Sequence, residues 1–269
     1  MKKSIVVSIS STKFSALAFK EDFEKSIKKV ADLGFDGAEL AVRNPKNLKV
    51  ENVIKIIKEN DLEVPAIGTG QAYMEEGLSF SDPDEAVRKM AVDRINDQII
   101  FASHFDAQVI IGLIRGKINE SVSQAEAEEW TIDGLRKCTE FAKEHNVRLT
   151  LEPVNRYESN FINTLNEGIE FIKRVRASNL GLLADTFHMN IEEVSIYDSI
   201  IQAKDYITHV HFADSNRWAP GCGHLDFKEI INTLKKINYQ GYISAEILPL
   251  PDPDTAARTT AKTLNKIRD

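Results

Sequence analysis

The chain has 269 residues, 42% of them hydrophobic and 28% charged, which is ordinary for a globule with a sizeable core. A formal net charge of −7 disfavours nucleic acid as a partner, because binding to phosphates calls for a basic face. Cys138 and Cys222 form neither a disulfide framework nor a Cys-x-x-Cys metal site, so a reducing cytoplasm is expected. The apolar run near the first residue is too short for a membrane span or a secretory signal, so no membrane partner is expected either.

In chain order, short β-branched runs alternate with segments of 3.6-residue periodicity. Strands are predicted over 4–10, 37–42, 64–70, 107–114, 148–154, 180–186, 208–214 and 242–248. Helices are predicted between and after them, over 19–33, 49–59, 83–104, 121–145, 164–177, 196–206, 227–237 and 253–267. Asp82 and Pro83 supply a cap and a first-turn proline for the third helix. Thr164 and Glu167 have capping-box spacing ahead of the fifth. Gly34, Gly181 and Gly241 fall where helices turn into strands, where left-handed backbone is often needed.

No linker, charge block or low-complexity stretch divides the chain, so residues 1–269 are expected to form one domain. Eight strand–helix units predict a closed (β/α)8 TIM barrel. A doubly wound open sheet would usually carry a Gly-rich phosphate loop after its first strand, and ISSTKF (9–14) stands there instead. In a barrel the active site lies at the carboxyl ends of the strands.

Four polar residues fall at such ends: Glu152, Asp185, His211 and Glu246, at intervals of 33, 26 and 35 residues. Each interval is close to one strand–helix unit, so the chain returns once per unit to the same place. A lone acid at a strand end is most often solvated or a helix cap. Glu246 differs, because it interrupts the apolar run YISAEIL, where an unpaired carboxylate is costly. Three carboxylates and an imidazole converging in this way predict an O3N site for Mn2+, Mg2+ or Co2+, one ion per chain.

Beyond three of these ligands, Glu158, His188 and Arg217 fall in strand-to-helix loops and are expected to contact substrate. Arg115, in GLIRGK (112–117), is placed on the catalytic rim, where a guanidinium suits a carboxylate or phosphate. GTGQAY (68–73) offers a flexible backbone and the Gln71 amide for hydroxyl recognition. His209 is expected to point away from the metal, Trp218 to wall a sugar face or pack at an interface, and His224 to shape the loop after strand seven.

The motifs LEPVNRYE (151–158), LLADTFHMN (182–190), HVHFADSNRWAPGCGH (209–224) and GYISAEI (241–247) resemble the D-tagatose 3-epimerase / ketose 3-epimerase group of the xylose-isomerase-like TIM-barrel superfamily. GTGQAY and SNRWAPGCGH are similar to its 5-ketogluconate epimerase branch. The resemblance implies that Glu152, Asp185, His211 and Glu246 hold one divalent metal, commonly Mn2+. It implies that Glu158, His188 and Arg217 contact the sugar, that Glu152 and Glu246 move the protons, and that the chain forms a homodimer or homotetramer.

The expected reaction inverts the carbon next to the ketone of a ketose or ketoaldonate. Removing that proton leaves an enediolate whose charge a Lewis acid stabilises. Inversion needs one proton-transfer group on each face of the carbon. Rival readings are an aldose–ketose or hydroxypyruvate isomerase, or an inosose dehydratase, on the same scaffold. More distant are an abasic-site endonuclease, for which six histidines are few, and a non-enzymatic sugar sensor, which would be expected to have lost part of the glutamate pair.

Overall fold

The computed structural model of the protein describes residues 1–20 and 22–268. Its strands are β1 (Lys2–Ser8), β2 (Gly37–Ala41), β3 (Ala66–Gly68), β4 (Gln108–Ile111), β5 (Leu149–Leu151), β6 (Leu180–Asp185), β7 (Ile207–Phe212) and β8 (Tyr242–Ala245). Each pairs in parallel with its sequence neighbours. β8 returns to β1, with Ser244 opposite Ser4, and the sheet closes. Because both faces of a parallel barrel are covered, the strands read as nearly continuous apolar runs. This is the predicted (β/α)8 barrel.

The helices are α1 (Phe23–Asp32), α2 (Val50–Glu59), α3 (Gly70–Glu76), α4 (Glu85–Ser103), α5 (Gln124–Glu144), α6 (Leu165–Val175), α7 (Thr186–Glu192), α8 (Ile196–Gln202), α9 (Phe227–Lys236) and α10 (Pro253–Arg268). Two of them, α3 and α7, were not expected. Each is seven residues long, too short for a 3.6-residue pattern to emerge, and each lies at the carboxyl end of a strand. α3 occupies most of GTGQAY, so that segment is ordered helix rather than flexible backbone. No helix among the described residues is long and apolar enough to cross a membrane.

The main core lies between the strands and the helices. Ile5, Leu40, Val109, Leu149, Leu182, Val210 and Ile243 pack there against Ile27, Ile57, Ile95, Leu135, Ile172, Ile200 and Leu234. The barrel interior is different. It holds two small apolar clusters, one of Val6, Leu17 and Ala41 and one of Ala66, Ile110 and Leu183. Buried polar side chains fill much of the rest: Glu39, Thr150, His209 and His211.

Helix starts follow local chemistry. Thr164 and Glu167 form the predicted capping box, and Ser123 with Glu126 forms a second. α4 begins two residues later than expected, because Asp84 rather than Asp82 accepts the first-turn amide, from Ala86. Gly34 adopts φ +73 as expected of a helix end. Gly181 does not sit in a turn but within β6, where a Cβ would lie 2.3 Å from the Thr208 methyl group.

Thr164→Ala removes one half of a capping box at an exposed helix start. It is expected to cost about 1 kcal/mol, or roughly 2 °C in Tm. Thermal unfolding followed by circular dichroism checks this, and an unchanged midpoint would show that the box is unimportant.

Candidate metal centre and active site

Glu152 directly follows β5, Asp185 ends β6, His211 lies in β7 and Glu246 directly follows β8. One donor atom from each falls within 4.8 Å of all the others. His211 Nδ1 is 3.5 Å from both Glu152 Oε1 and Asp185 Oδ2. These three atoms are buried and have no hydrogen-bond partner. Unsatisfied buried polar atoms are rare because each costs desolvation free energy. Two donors about 2.1 Å from one cation lie about 3–3.5 Å apart. The orphaned atoms therefore fit a divalent ion, and the O3N donor set is of the right chemistry.

The backbone prepares these positions. Asp185 divides its carboxylate: Oδ1 caps α7 by accepting the amides of Phe187 and His188, and Oδ2 faces the cluster. Helix cap and candidate ligand are thus one residue. Gly112, after β4, leaves space for Glu152, since a Cβ there would lie 2.4 Å from Glu152 Oε2.

The charges within the cluster are strongly coupled. Burial pushes Glu246 up to about 8, with the charges of Glu152 and Asp185 adding to it against the pull of Arg217 and His211. Burial would raise Asp185 too, but His188, His211 and Arg217 hold it well below the usual carboxylate range. Burial opposes charge on His211, yet Glu39, Asp185 and Glu152 raise it above its ordinary value.

A second ring surrounds the cluster. Arg217 donates from Nη1 to Glu158 Oε1 at 2.7 Å and from Nη2 to Glu246 Oε2 at 2.8 Å. Its guanidinium lies over the Phe187 ring, 4.9 Å from the centroid. His188 Nδ1 accepts from both the backbone and side-chain amides of Asn155. An amide nitrogen only donates, so the His188 proton is on Nε2, available to a ligand in the pocket that the ring lines. Gln71 donates to Ser8 Oγ and keeps a buried, unpartnered Oε1 beside the same pocket. Val6, Phe14 and Leu17 supply an apolar wall.

Two predicted placements need correction. Arg115 is not on the rim. It is fully buried, and its Nη atoms donate to the carbonyls of Gly112, Glu152, Phe161 and Ile162. A guanidinium fork suits several carbonyls as well as one carboxylate, and here it ties the loop after β5 to the catalytic end of β4. His209 does not point away from His211. Residues two apart on a strand share a face, so both rings enter the barrel interior, where both Nε2 atoms contact Glu39.

Sequence reasoning missed Glu39, Asn155 and Asp214. Asp214 is fully buried and accepts the amides of Ser215, Gly221 and Leu225, which organises the loop carrying Arg217. That loop holds Arg217 at φ +62, an uncommon conformation for a side-chain-bearing residue. Its signal was the Asp at the end of HFAD, two residues beyond the strand. Trp218 is half-buried, and its carbonyl accepts the Asp214 amide. His224 pairs with Ser215 within the same loop, as expected of a loop-shaping residue.

A family model described as "Xylose isomerase-like TIM barrel" matches residues 27–267. The chain is 35% identical over 232 residues to the D-psicose 3-epimerase of Enterocloster bolteae, covering 82% of this chain and 75% of that one. It is 30% identical over 242 residues to the L-ribulose 3-epimerase of Mesorhizobium japonicum, covering 89% and 80%. The solved D-psicose 3-epimerase with D-tagatose from Clostridium cellulolyticum H10 matches at a TM-score of 0.84 and 27% identity, covering 100% of this chain and 98% of that one.

Because Glu246 is pushed up to about 8, it is protonated below that pH and must lose its proton to ligate. Apparent Mn2+ affinity is expected to rise by about tenfold or more per pH unit up to about pH 8, because Glu246 and the raised His211 must each give up a proton to ligate. Titration calorimetry across about pH 6–9 checks the slope, and a flat profile contradicts it. Arg115→Ala strips donors from four carbonyls and leaves a cavity, so it is expected to destabilise by about 3–5 kcal/mol. Denaturant unfolding measures that loss, and a near-normal midpoint would contradict the structural role.

Proposed function

The chain belongs to the xylose isomerase-like TIM-barrel family, its relatives there are sugar epimerases, and we propose that it inverts the carbon next to the ketone of a keto-sugar, with Glu152 and Glu246 moving the proton. The observation that carries this reading is the trio of buried, unpartnered atoms on Glu152, Asp185 and His211, facing one another beside Glu246.

These four residues would hold the divalent cation, and Mn2+ is the ion we propose from the O3N donor set. When bound, it supplies Lewis-acid stabilisation of the negative charge that develops as the proton leaves carbon. The protein's own residues do the rest. Glu152 and Glu246 enter the site from β5 and β8, three strands apart around the barrel, which supports placing them on opposite faces of the reacting carbon. One removes the proton and the other returns one from the far side. The substrate's configuration decides which acts first.

Glu246 is suited to carry a proton near neutral pH because burial raises it. Arg217 fixes the Glu246 carboxylate and links it to Glu158, so the acid and a hydroxyl-binding carboxylate are oriented together. The Nε2–H of His188, Glu158 and the free Gln71 Oε1 offer one donor and two acceptors for sugar hydroxyls. The apolar wall of Val6, Phe14 and Leu17 limits water at the reacting carbon.

The proposed substrate is a ketose or a keto-sugar acid. With Arg115 withdrawn into the structure, the acid is supported by the likeness of GTGQAY and SNRWAPGCGH to the ketogluconate branch, and the neutral ketose by the names of the relatives. We further infer a homo-oligomer, as the ketose 3-epimerase resemblance implies, in a reducing cytoplasm, which the unpaired Cys138 and Cys222 support.

The decisive experiment incubates the protein with Mn2+ and a panel of ketohexoses and 5-ketogluconates in deuterated water, read by NMR. One deuterium at the inverted carbon is expected, and kcat/KM for the two classes ranks them. An aldose product would favour an aldose–ketose isomerase, and no exchange on any substrate would overturn the reading. Glu152→Gln and Glu246→Gln are each expected to lower kcat by about 100-fold or more.

A further inference from the structure

Beneath the candidate metal centre, inside the barrel, the Glu39 carboxylate is 1% exposed and faces two imidazoles. His209 Nε2 lies 2.7 Å from Glu39 Oε2, and His211 Nε2 lies 3.0 Å from Oε1 and 3.1 Å from Oε2. Glu39 comes from β2 and both histidines from β7, so these contacts cross the barrel. Among the described residues, its side-chain hydrogen bonds and ion pairs run to these two imidazoles. Nothing in the proton-transfer scheme uses Glu39 or His209.

An ionised carboxylate can only accept hydrogen bonds, so each Nε2 that touches it must carry the proton. In the neutral His211 ring that a cation requires, this leaves the lone pair on Nδ1. That atom faces Glu152 Oε1 and Asp185 Oδ2 at 3.5 Å and has no hydrogen-bond partner. We propose that Glu39, fastened by His209, is a positioning residue that fixes the ring orientation and tautomer of His211 so that Nδ1 is presented to the cation. The inference rests on the reading of Glu152, Asp185, His211 and Glu246 as the metal centre.

The geometry explains why a carboxylate is buried in the barrel. A neutral acceptor would hold the same tautomer more weakly and would make His211 a poorer electron donor, whereas a hydrogen-bonded carboxylate raises the basicity of the distal nitrogen. His209 fills the other side of the carboxylate and stops it from turning away. Its ring meets that of His211 edge-on, with centroids 5.3 Å apart.

The test is Mn2+ binding by calorimetry on the wild type, Glu39→Gln and His209→Gln, together with histidine 15N spectra. Glu39→Gln is expected to weaken Mn2+ binding by about 10–100-fold and to let His211 populate the Nδ1–H tautomer. His209→Gln, which leaves the Glu39 to His211 contact in place, is expected to weaken binding by a smaller factor. If Glu39→Gln does not fold, His209→Gln and the wild-type tautomer decide the matter. Wild-type affinity in every variant that folds, or a wild-type His211 that with diamagnetic Mg2+ bound carries its proton on Nδ1 rather than Nε2, overturns the proposal. A wild type that binds no divalent ion overturns the metal-centre reading itself, so the two failures are distinguishable.

Discussion

Three carboxylates brought to one point, two buried and one partly so, repel one another, and the structure does not relieve this with lysines. Of the carboxylates of Glu152, Asp185 and Glu246, the last is hydrogen-bonded by the Arg217 guanidinium, which does not reach the atoms that face His211. The donors left over are those that a hard cation would take. Without such an ion the cost appears as a Glu246 carboxyl and a His211 imidazole both raised above their ordinary values. The barrel tolerates this because four separate strands anchor the four side chains, so no single element can swing away to relax the repulsion.

The strands and the loops divide the work. Strands fix the four clustered donors, and the segments that follow them carry Glu158 and Arg217 in loops and His188 on α7. Those loops are not loose. Asp214 gathers three amides to shape one of them, and Asn155 holds His188 from the next. Asp185 joins the two levels, since its carboxylate starts α7 while facing the cluster.

Much of this was legible in the sequence, for a physical reason. A polar residue that interrupts or ends an apolar strand needs compensation, and four of them one unit apart need the same compensation. The eight-fold alternation, the capping box at Thr164 and the placement of Glu158 and Arg217 in loops follow from local patterns, whereas His188, expected in a loop, lies on α7. Glu39 was not legible, because GAELAV reads as an ordinary strand and its partners lie 170 and 172 residues away. The two seven-residue helices α3 and α7 were too short to show a period. His209 was misplaced through strand parity: alternation separates neighbours, whereas i and i+2 share a face.

Arg115 failed for a more instructive reason. A guanidinium at the end of a barrel strand has the chemistry to bind an anion, but the same five donors can satisfy backbone carbonyls that a loop leaves stranded. Ile162, a β-branched residue at φ +58, offers one of those carbonyls, and Phe161 offers the next. Such a conformation is costly for isoleucine and persists only where surrounding contacts over-determine it. Arg115 supplies those contacts while also bonding the carbonyl of Glu152. Its charge therefore acts on the candidate site only indirectly, by holding the loop that carries Glu158 in register with the strand end that carries Glu152.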